Sequence, residues 1–442
     1  METLFGTDGI RGRAYEPPLD ETTVRRLGVA LANDLSTECP DAQILLAGDT
    51  RASTVAIAEW LASSFQAAGG AVTWAGVLPT PAVSHLLRQG GCTAGVVISA
   101  SHNPAHDNGI KILGPGGEKL ADERERHLEA QLASSEPALG PGLPAVDSTL
   151  GERYLDLLVA SHRTADPLSG LHVVVDAANG AASGIALRLL EQLGARVTAI
   201  ASDPDGHNIN LDCGATSPQH LAETVVELGA DAGLALDGDA DRAVLVDETG
   251  CVLDGDDILL AWARQLREED RLPGGRVVAT VMSNFGLERT LLDEDMEMIR
   301  GPVGDRSVWL AMAEHGSALG GEQSGHIICS HHGVTGDGLL TGSHLLATAA
   351  RHGGSVAALS DLERLPQILL NVPVARKLPF DQLAGVSGEL AAVKRRLDRR
   401  GRVLLRYSGT EPLARVMIEG EEAAEIEELA QRIADAIRGE LR

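Results

Sequence analysis

The residues of this 442-residue chain that could do chemistry fall in four short segments. In the first, Ser99-Ala100-Ser101-His102-Asn103-Pro104 follows the apolar run Val96-Val97-Ile98. Asn-Pro continues neither strand nor helix comfortably, so a tight polar turn presents Ser101 and His102 to whatever lies in front of it. Asp107-Asn108-Gly109-Ile110-Lys111 follows at once and adds a glycine turn and a lysine. Taken alone, the segment reads more readily as a hydrogen-bonded turn than as a nucleophile, and adjacent serine and histidine make no hydrolytic triad without geometry.

The second segment, Asp237-Gly238-Asp239-Ala240-Asp241-Arg242, sets carboxylates at i, i+2 and i+4 between two apolar runs. In extended backbone that spacing points all three the same way. Like charges a few ångströms apart repel strongly in a partly buried site, and a hard divalent cation with oxygen ligands relieves them. Magnesium is the ion expected. A solvated acidic turn is the plain alternative. An EF-hand loop is another, with Glu248 at its twelfth position, but Arg242 stands where that loop needs glycine and the flanks read as strands.

The third segment, Gly320-Gly321-Glu322-Gln323-Ser324-Gly325-His326, offers a carboxylate, an amide, a hydroxyl and an imidazole on a glycine-freed backbone. Paired donors and acceptors of that kind suit sugar hydroxyls, although a polar hairpin would look the same. The fourth, Arg406-Tyr407-Ser408-Gly409-Thr410-Glu411-Pro412 with Arg415 beyond, combines backbone N–H groups, hydroxyls and two guanidinium forks. That is equipment for a phosphate dianion, or else a β-turn with exposed arginines. No Gly-Lys-Ser/Thr signature makes it a P-loop.

A strand, a polar loop and a helix recur three times to position these segments. The first unit has a strand at 44–47, a loop at 48–51 and a helix near 54–68. The second has a strand at 173–175, a loop at 176–184 and a helix ending near Leu193, with Gly194 as its cap. The third has a strand at 277–281, a loop at 282–286 and a helix from about Leu287. The architecture repeats, and the sequence does not. A stretch rich in Pro, Gly and Ala at 134–148 reads as a surface connection before a helix at 152–159. Ile426, Leu429, Ile433 and Ile437 share one helical face, so the tail should be an amphipathic helix on a small sheet. Four domains are expected, at 1–150, 151–253, 254–368 and 369–442.

Composition narrows the partners. A chain this long exceeds a single hydrophobic core. With 44% hydrophobic and 23% charged residues and no apolar run near the roughly 20 needed to span a bilayer, membrane insertion is not expected. The acidic opening lacks a signal-peptide pattern, so a cytoplasmic location is expected. A formal charge of −26 repels nucleic acid and anionic lipid, so no nucleic acid and no membrane is expected as a partner. The same field opposes a phosphorylated ligand, which obliges the protein to gather arginine, backbone N–H groups or a metal at one place. Five scattered cysteines without a Cys-x-x-Cys pair argue against a zinc knuckle, a redox motif or a disulfide framework and point to buried thiols.

In this order and at these separations, the four segments resemble the α-D-phosphohexomutase family along essentially the whole chain. The resemblance implies an α/β fold class, with three related α/β domains with mixed sheets plus a smaller C-terminal α+β domain, around a central cleft. It implies that Ser101 is phosphorylated, that Asp237, Asp239 and Asp241 hold Mg2+ together with an oxygen of that phosphoserine, and that Glu322, Ser324 and His326 read the sugar. Arg406, Ser408, Gly409 and Thr410 would grip the distal phosphate, with Arg242 and Arg415 also facing substrate. Arg11, His102 and Lys111 would stand near the transferring group as charge stabilisers or general acid/base candidates.

Phe5-Gly6-Thr7-Asp8-Gly9-Ile10-Arg11-Gly12, the glutamine at 323 and Pro204-Asp205-Gly206-His207-Asn208-Ile209-Asn210 look more like the hexosamine branch of the family than its glucose and mannose branches. The implied reaction is then interconversion of glucosamine 6-phosphate and glucosamine 1-phosphate through glucosamine 1,6-bisphosphate, in the isomerase class, feeding amino-sugar and cell-wall precursors. A glucose or mannose phosphate mutase is the alternative within the family, and a non-catalytic phosphosugar-binding protein the alternative outside it. A homodimer is among the assemblies allowed. Ala240 stands where many relatives have glycine, and it is expected to hold ordinary backbone angles and leave metal binding intact.

Overall fold

Short aliphatic runs between glycine and polar turns make strands, and the longer amphipathic stretches between them make helices. The computed structural model describes residues 4–6, 8–408 and 411–441. It falls into two compact units, Met1–Thr280 with Ile299–Asp361, and Val281–Met298 with Leu362–Arg442.

The first sheet comprises β1 (Ile10–Arg13), β2 (Gln43–Gly48), β3 (Ala71–Val77), β4 (Ala94–Ile98) and β5 (Asp107–Leu113), in the order β1-β5-β4-β2-β3. β2 is parallel to β3 and β4, while β5 runs antiparallel to β4 and β1. The second sheet has β6 (His172–Asp176), β7 (Arg196–Ile200), β8 (Ala232–Leu236), β9 (Ala243–Asp247) and β10 (Val252–Leu253), in the order β10-β9-β8-β6-β7. Again β6 is parallel to β7 and β8, and β9 is antiparallel to β8. A third sheet orders β11 (Arg276–Thr280), β12 (Glu297–Gly301), β13 (Leu319–Gly321) and β14 (Ile327–Cys329) as β12-β11-β13-β14. β11 and β13 are parallel and β14 is antiparallel.

One plan therefore recurs: the last parallel strand turns back into an antiparallel neighbour. That turn carries Ser101 between β4 and β5, the three aspartates between β8 and β9, and the glycine-rich loop between β13 and β14. All three lie past the carboxyl end of a parallel strand, where open α/β sheets place their ligands. β4 and β8 are buried along their whole length, as parallel strands covered on both faces must be.

The helices Thr54–Ala67 and Ala186–Gln192 follow the first two units as the periodicity requires. Gly194, expected as a cap, is the residue after the Leu193 cap, at φ 94°. The helix Phe285–Asp293 of the third unit lies in the smaller compact unit. There, β15 (Gln367–Pro373), β16 (Gly401–Tyr407) and β17 (Leu413–Gly420) form an antiparallel sheet ordered β15-β17-β16. The tail helix Ala423–Glu440 buries Ile426, Leu429, Ile433 and Ile437 in that unit's core, at about 2 kcal/mol each. No helix among the described residues is long and apolar enough to cross a membrane.

Candidate active site

After β4 the chain bends so sharply that Ser101 adopts φ 52°, a left-handed conformation that costs a non-glycine residue about 1–2 kcal/mol. Hydrogen bonds offset this. The Ser101 amide donates to Ser99 Oγ at 3.0 Å, and Ser99 Oγ donates to Asp49 Oδ2 at 2.6 Å. The result is a buried Ser101 whose Oγ donates to Asp237 Oδ2 at 2.6 Å. His102 Nδ1 stands 3.3 Å from the same Oγ. Burial, then Arg242 and Arg11, push the His102 imidazole down to about 4.

The turn between β8 and β9 gathers Asp237, Asp239 and Asp241, each buried, with ligand-capable oxygens all within 4.8 Å of one another. Burial and then the Asp241 and Asp239 charges push the Asp237 carboxyl well above the carboxylate range. Burial acts the same way on Asp241, but Lys111 and His326 overcome it and hold that carboxyl well below. Asp239 Oδ1 and Asp241 Oδ1 are buried with no hydrogen-bond partner. Two orphaned anionic oxygens beside a third carboxyl fit a hard divalent cation.

Ala240 departs from expectation. Its φ is 57°, in the left-handed region, so this alanine sits where glycine fits without cost and does not hold ordinary angles. The tight turn that aims three acids one way leaves no alternative: Ala240 N–H donates to Asp237 O, and Gly338 N–H donates to Ala240 O.

Cationic groups converge on the trio. Lys111, fully buried, lies 2.8 Å from Asp239 Oδ2, 3.4 Å from Asp241 Oδ2 and 3.2 Å from Asp8 Oδ2. Burial pulls its ammonium down, and these three carboxylates more than reverse that, holding it well above its ordinary value. Arg11 pairs with Asp8 and donates to Asn103 Oδ1 at 3.2 Å. Arg242 Nε lies 3.8 Å from Asp241 and 4.0 Å from Asp237. An acidic chain has thus concentrated its positive charge at one spot.

The turn between β13 and β14 joins this cluster. His326 is buried, with Nδ1 3.6 Å from Asp241 Oδ2 and Nε2 accepting from the Gly336 amide at 3.0 Å. Gly325 N and O meet Glu322 and Ala243, and a Cβ on Gly325 would strike Ala243 O at 2.2 Å. Glu322 Oε1 accepts from the Gly304 amide at 2.9 Å, and Ser324 is exposed. Gln323 Nε2 donates to Asp254 Oδ2 at 3.3 Å, inside the protein's own framework.

Several contributors escaped the sequence reading. Thr80 Oγ1 donates to Asp239 Oδ2 at 2.7 Å, and its amide donates to Asp239 O at 3.0 Å. Lys119 bridges Asp8 and Asp305, and Asp305 adjoins the Gly304 that binds Glu322. The rarity of lysine, four in the chain, was the signal that could have found Lys119.

In the smaller unit, the β16–β17 register sets Arg406 directly opposite Arg415. Like charges so placed are destabilising unless an anion relieves them. Arg406 is exposed, Ser408 is buried, and Ser408 O accepts from Lys377 Nζ at 2.6 Å. Arg415 Nη2 reaches Glu411 at 3.2 Å. Gly409 and Thr410 lie outside the described residues.

Comparison with known proteins covers nearly the whole chain. The phosphoglucomutase/phosphomannomutase alpha/beta/alpha domains I, II and III match residues 2–138, 152–250 and 254–365, and that family's C-terminal domain matches 369–436. The phosphoglucosamine mutase of Solibacter usitatus is 44% identical over 99% of each chain. Among solved structures, a phosphoglucomutase/phosphomannomutase family protein from Burkholderia thailandensis superposes with a TM-score of 0.81 at 24% identity, covering 99% of this chain and 98% of that one. The N-acetylphosphoglucosamine mutase of Aspergillus fumigatus, solved with GlcNAc-6P and magnesium, gives 0.64 at 19% identity, covering 99% and 96%.

Proposed function

Because the chain belongs to the phosphoglucomutase/phosphomannomutase family, matched through all four of its domains, we propose that it interconverts glucosamine 6-phosphate and glucosamine 1-phosphate by way of a phosphorylated Ser101. The observation that carries the reading is the 2.6 Å hydrogen bond from Ser101 Oγ to Asp237, inside a buried trio of aspartates with two unpartnered oxygens. The hydroxyl faces the carboxylate trio with the buried Lys111 ammonium beside it, the charge environment that phosphoryl transfer uses.

In the forward direction the P–O bond to Ser101 Oγ breaks as one forms to the free O1 of glucosamine 6-phosphate; the O1 proton leaves to a base and Oγ takes up a proton. The 1,6-bisphosphate turns round. Its O6–P bond then breaks as the phosphoryl group returns to Ser101 Oγ, which gives up its proton while O6 takes one up. Asp237, Asp239 and Asp241 would hold magnesium, which when bound supplies charge neutralisation at the transferring group. Lys111 and Arg242 add fixed positive charge on the same side, and Arg11 orients the turn through Asn103. His102, neutral at ordinary pH and 3.3 Å from Oγ, is suited to receive a proton. Glu322, Ser324 and His326 are assigned to the sugar, and Arg406, Ser408, Gly409, Thr410 and Arg415 to the distal phosphate. The 44% identity to a phosphoglucosamine mutase supports the amino-sugar substrate.

The reading includes domain limits at 1–150, 151–253, 254–368 and 369–442, a cytoplasmic setting, and a homodimer as the assembly to test. Turnover of the glucosamine, glucose and mannose phosphates should be compared with magnesium and a trace of sugar bisphosphate. Preference for glucosamine 6-phosphate supports the proposal. Preference for glucose or mannose moves the chain to another branch, and release of free phosphate in place of isomer removes mutase activity altogether.

A further inference from the structure

Arg51 closes the loop that follows β2, its guanidinium fully buried against Asp49, whose Oδ2 accepts from Nε at 2.9 Å. The remaining N–H groups all go to one target, the backbone of the serine turn. Nη2 donates to Ser101 O at 2.9 Å and to Asn103 O at 2.8 Å, while Nη1 donates to Pro104 O and, at 3.1 Å, to Asp107 O. From the second domain, Asn210 Nδ2 reaches two of the same oxygens, Ser101 O at 2.9 Å and Asn103 O at 3.1 Å. Two side chains from different domains therefore share the carbonyl of the serine itself.

The surroundings show that this arrangement is built. Asn210 has φ 57°, a conformation asparagine tolerates better than most residues, and its amide donates to Ala178 O at 2.9 Å. Two loops of the second domain dock on the Arg51 loop: the Ala52 amide donates to Gly206 O at 3.0 Å, and Thr50 Oγ1 donates to Asn179 O, past the end of β6, at 2.5 Å. Gly238 of the aspartate turn presses on the same point. A Cβ there would lie 2.5 Å from Ser101 O and 2.8 Å from Asn210 Nδ2.

We propose that Arg51 and Asn210 are positioning residues that clamp the Ser101 carbonyl between two domains, fixing the left-handed serine so that its Oγ faces the aspartate trio. The clamp rests on the reading of Ser101 as the group that carries phosphate. Neither residue touches the transferred group. Both carry positive or donor character at a peptide that would otherwise relax toward ordinary angles, and relaxation would swing Oγ away from Asp237. A misplacement on the order of 1 Å costs about 100-fold in rate.

The deciding variant is Asn210→Gly, which tolerates the left-handed backbone and deletes the side-chain amide, both its Nδ2 donor and its buried, partnerless Oδ1. Glucosamine 6-phosphate kinetics should show kcat down about 10- to 100-fold with KM changed less than about threefold. Hydrogen–deuterium exchange of the dephosphorylated protein should show peptide amides at 99–108 exchanging about tenfold faster, with exchange in β6 and β8 unchanged. Wild-type kcat, or wild-type exchange at 99–108, in a folded Asn210→Gly protein overturns the clamp. Should the wild-type enzyme turn over no hexose phosphate, the functional reading fails separately, and the exchange measurement alone then decides whether Asn210 holds the turn.

Discussion

Under the proposed mechanism the serine turn and the arginine loop of the fourth domain both handle phosphate, yet they are made differently. At the serine turn the groups are buried and fixed before a ligand arrives: Ser101, Lys111 and all three aspartates are buried, Arg51 and Asn210 hold the backbone, and Asp239 Oδ1 and Asp241 Oδ1 are left open. In the arginine loop, Arg406 is exposed and faces Arg415 across the strand pair. Ser408 Oγ donates to Glu411 Oε2 at 3.5 Å and accepts from the Glu411 amide at 3.3 Å, contacts within its own loop. The contrast separates two tasks. Transferring a phosphoryl group needs charges fixed in advance, because reorganising them during reaction would raise the barrier. Recognising a phosphate at either end of a hexose needs only donors that close when the anion arrives.

That contrast breaks most visibly at its first term. Ser101→Ala should lower mutase turnover by on the order of 10⁴-fold or more while leaving the melting temperature within a few degrees, since the lost hydroxyl is one of several partners in the turn. Mass spectrometry of the wild-type protein should find phosphate on the peptide containing Ser101, and not on the variant. A Ser101→Ala enzyme with most of its activity would take serine out of the mechanism. Next in size, stripping divalent cations with a chelator should cost on the order of 10²- to 10³-fold, restored by magnesium. The preformed trio also predicts that added magnesium raises the melting temperature of the stripped protein, through preferential binding to the folded state. Full activity in chelator, or no thermal shift, would refute the metal assignment.

The sequence exposed this site unevenly. The three aspartates were legible because acids at alternate positions demand a counterion, whereas Ser101, read alone as part of a hydrogen-bonded turn, stood out only through the resemblance of the four segments taken together. The tail helix was legible from its 3.6-residue apolar stripe. Arg51, Asn210 and Thr80 were not, because each acts through a partner that is 50 to 159 positions away along the chain, and no local pattern encodes such a bond. His326 shows a subtler limit. Its motif points to sugar contact but does not disclose that Nδ1 comes within 3.6 Å of Asp241 or that Nε2 accepts from the Gly336 amide. The backbone of Ala240 was misjudged for a related reason: residue type predicts the angles a chain prefers, and the three acids on either side of the alanine impose others.

The arginine loop offers a smaller effect of a different kind. Arg406→Ala should raise KM for glucosamine 6-phosphate about 10-fold, the value of one charge-assisted hydrogen bond, with kcat within about threefold. An unchanged KM would show that this exposed guanidinium binds nothing. Removal of Arg406 should also relieve its repulsion with Arg415, so the variant's melting temperature should not fall.

The smallest expected effect tests how much strain the committed site tolerates. Ala240 is fully buried at φ 57°, so its methyl group contributes contact while its backbone is forced. Glycine would relieve about 1 kcal/mol of left-handed cost, and lose part of that gain through the methyl contact and the greater freedom of the unfolded chain. The balance favours Ala240→Gly by roughly 0.5 kcal/mol, a rise of about 1 °C in melting temperature. Magnesium affinity should change less than about twofold, because the three carboxylates already hold the positions the turn dictates. A fall of several degrees would mean that the methyl contact outweighs the backbone cost, and that side-chain packing, more than the hydrogen bonds of the turn, keeps the aspartates rigid.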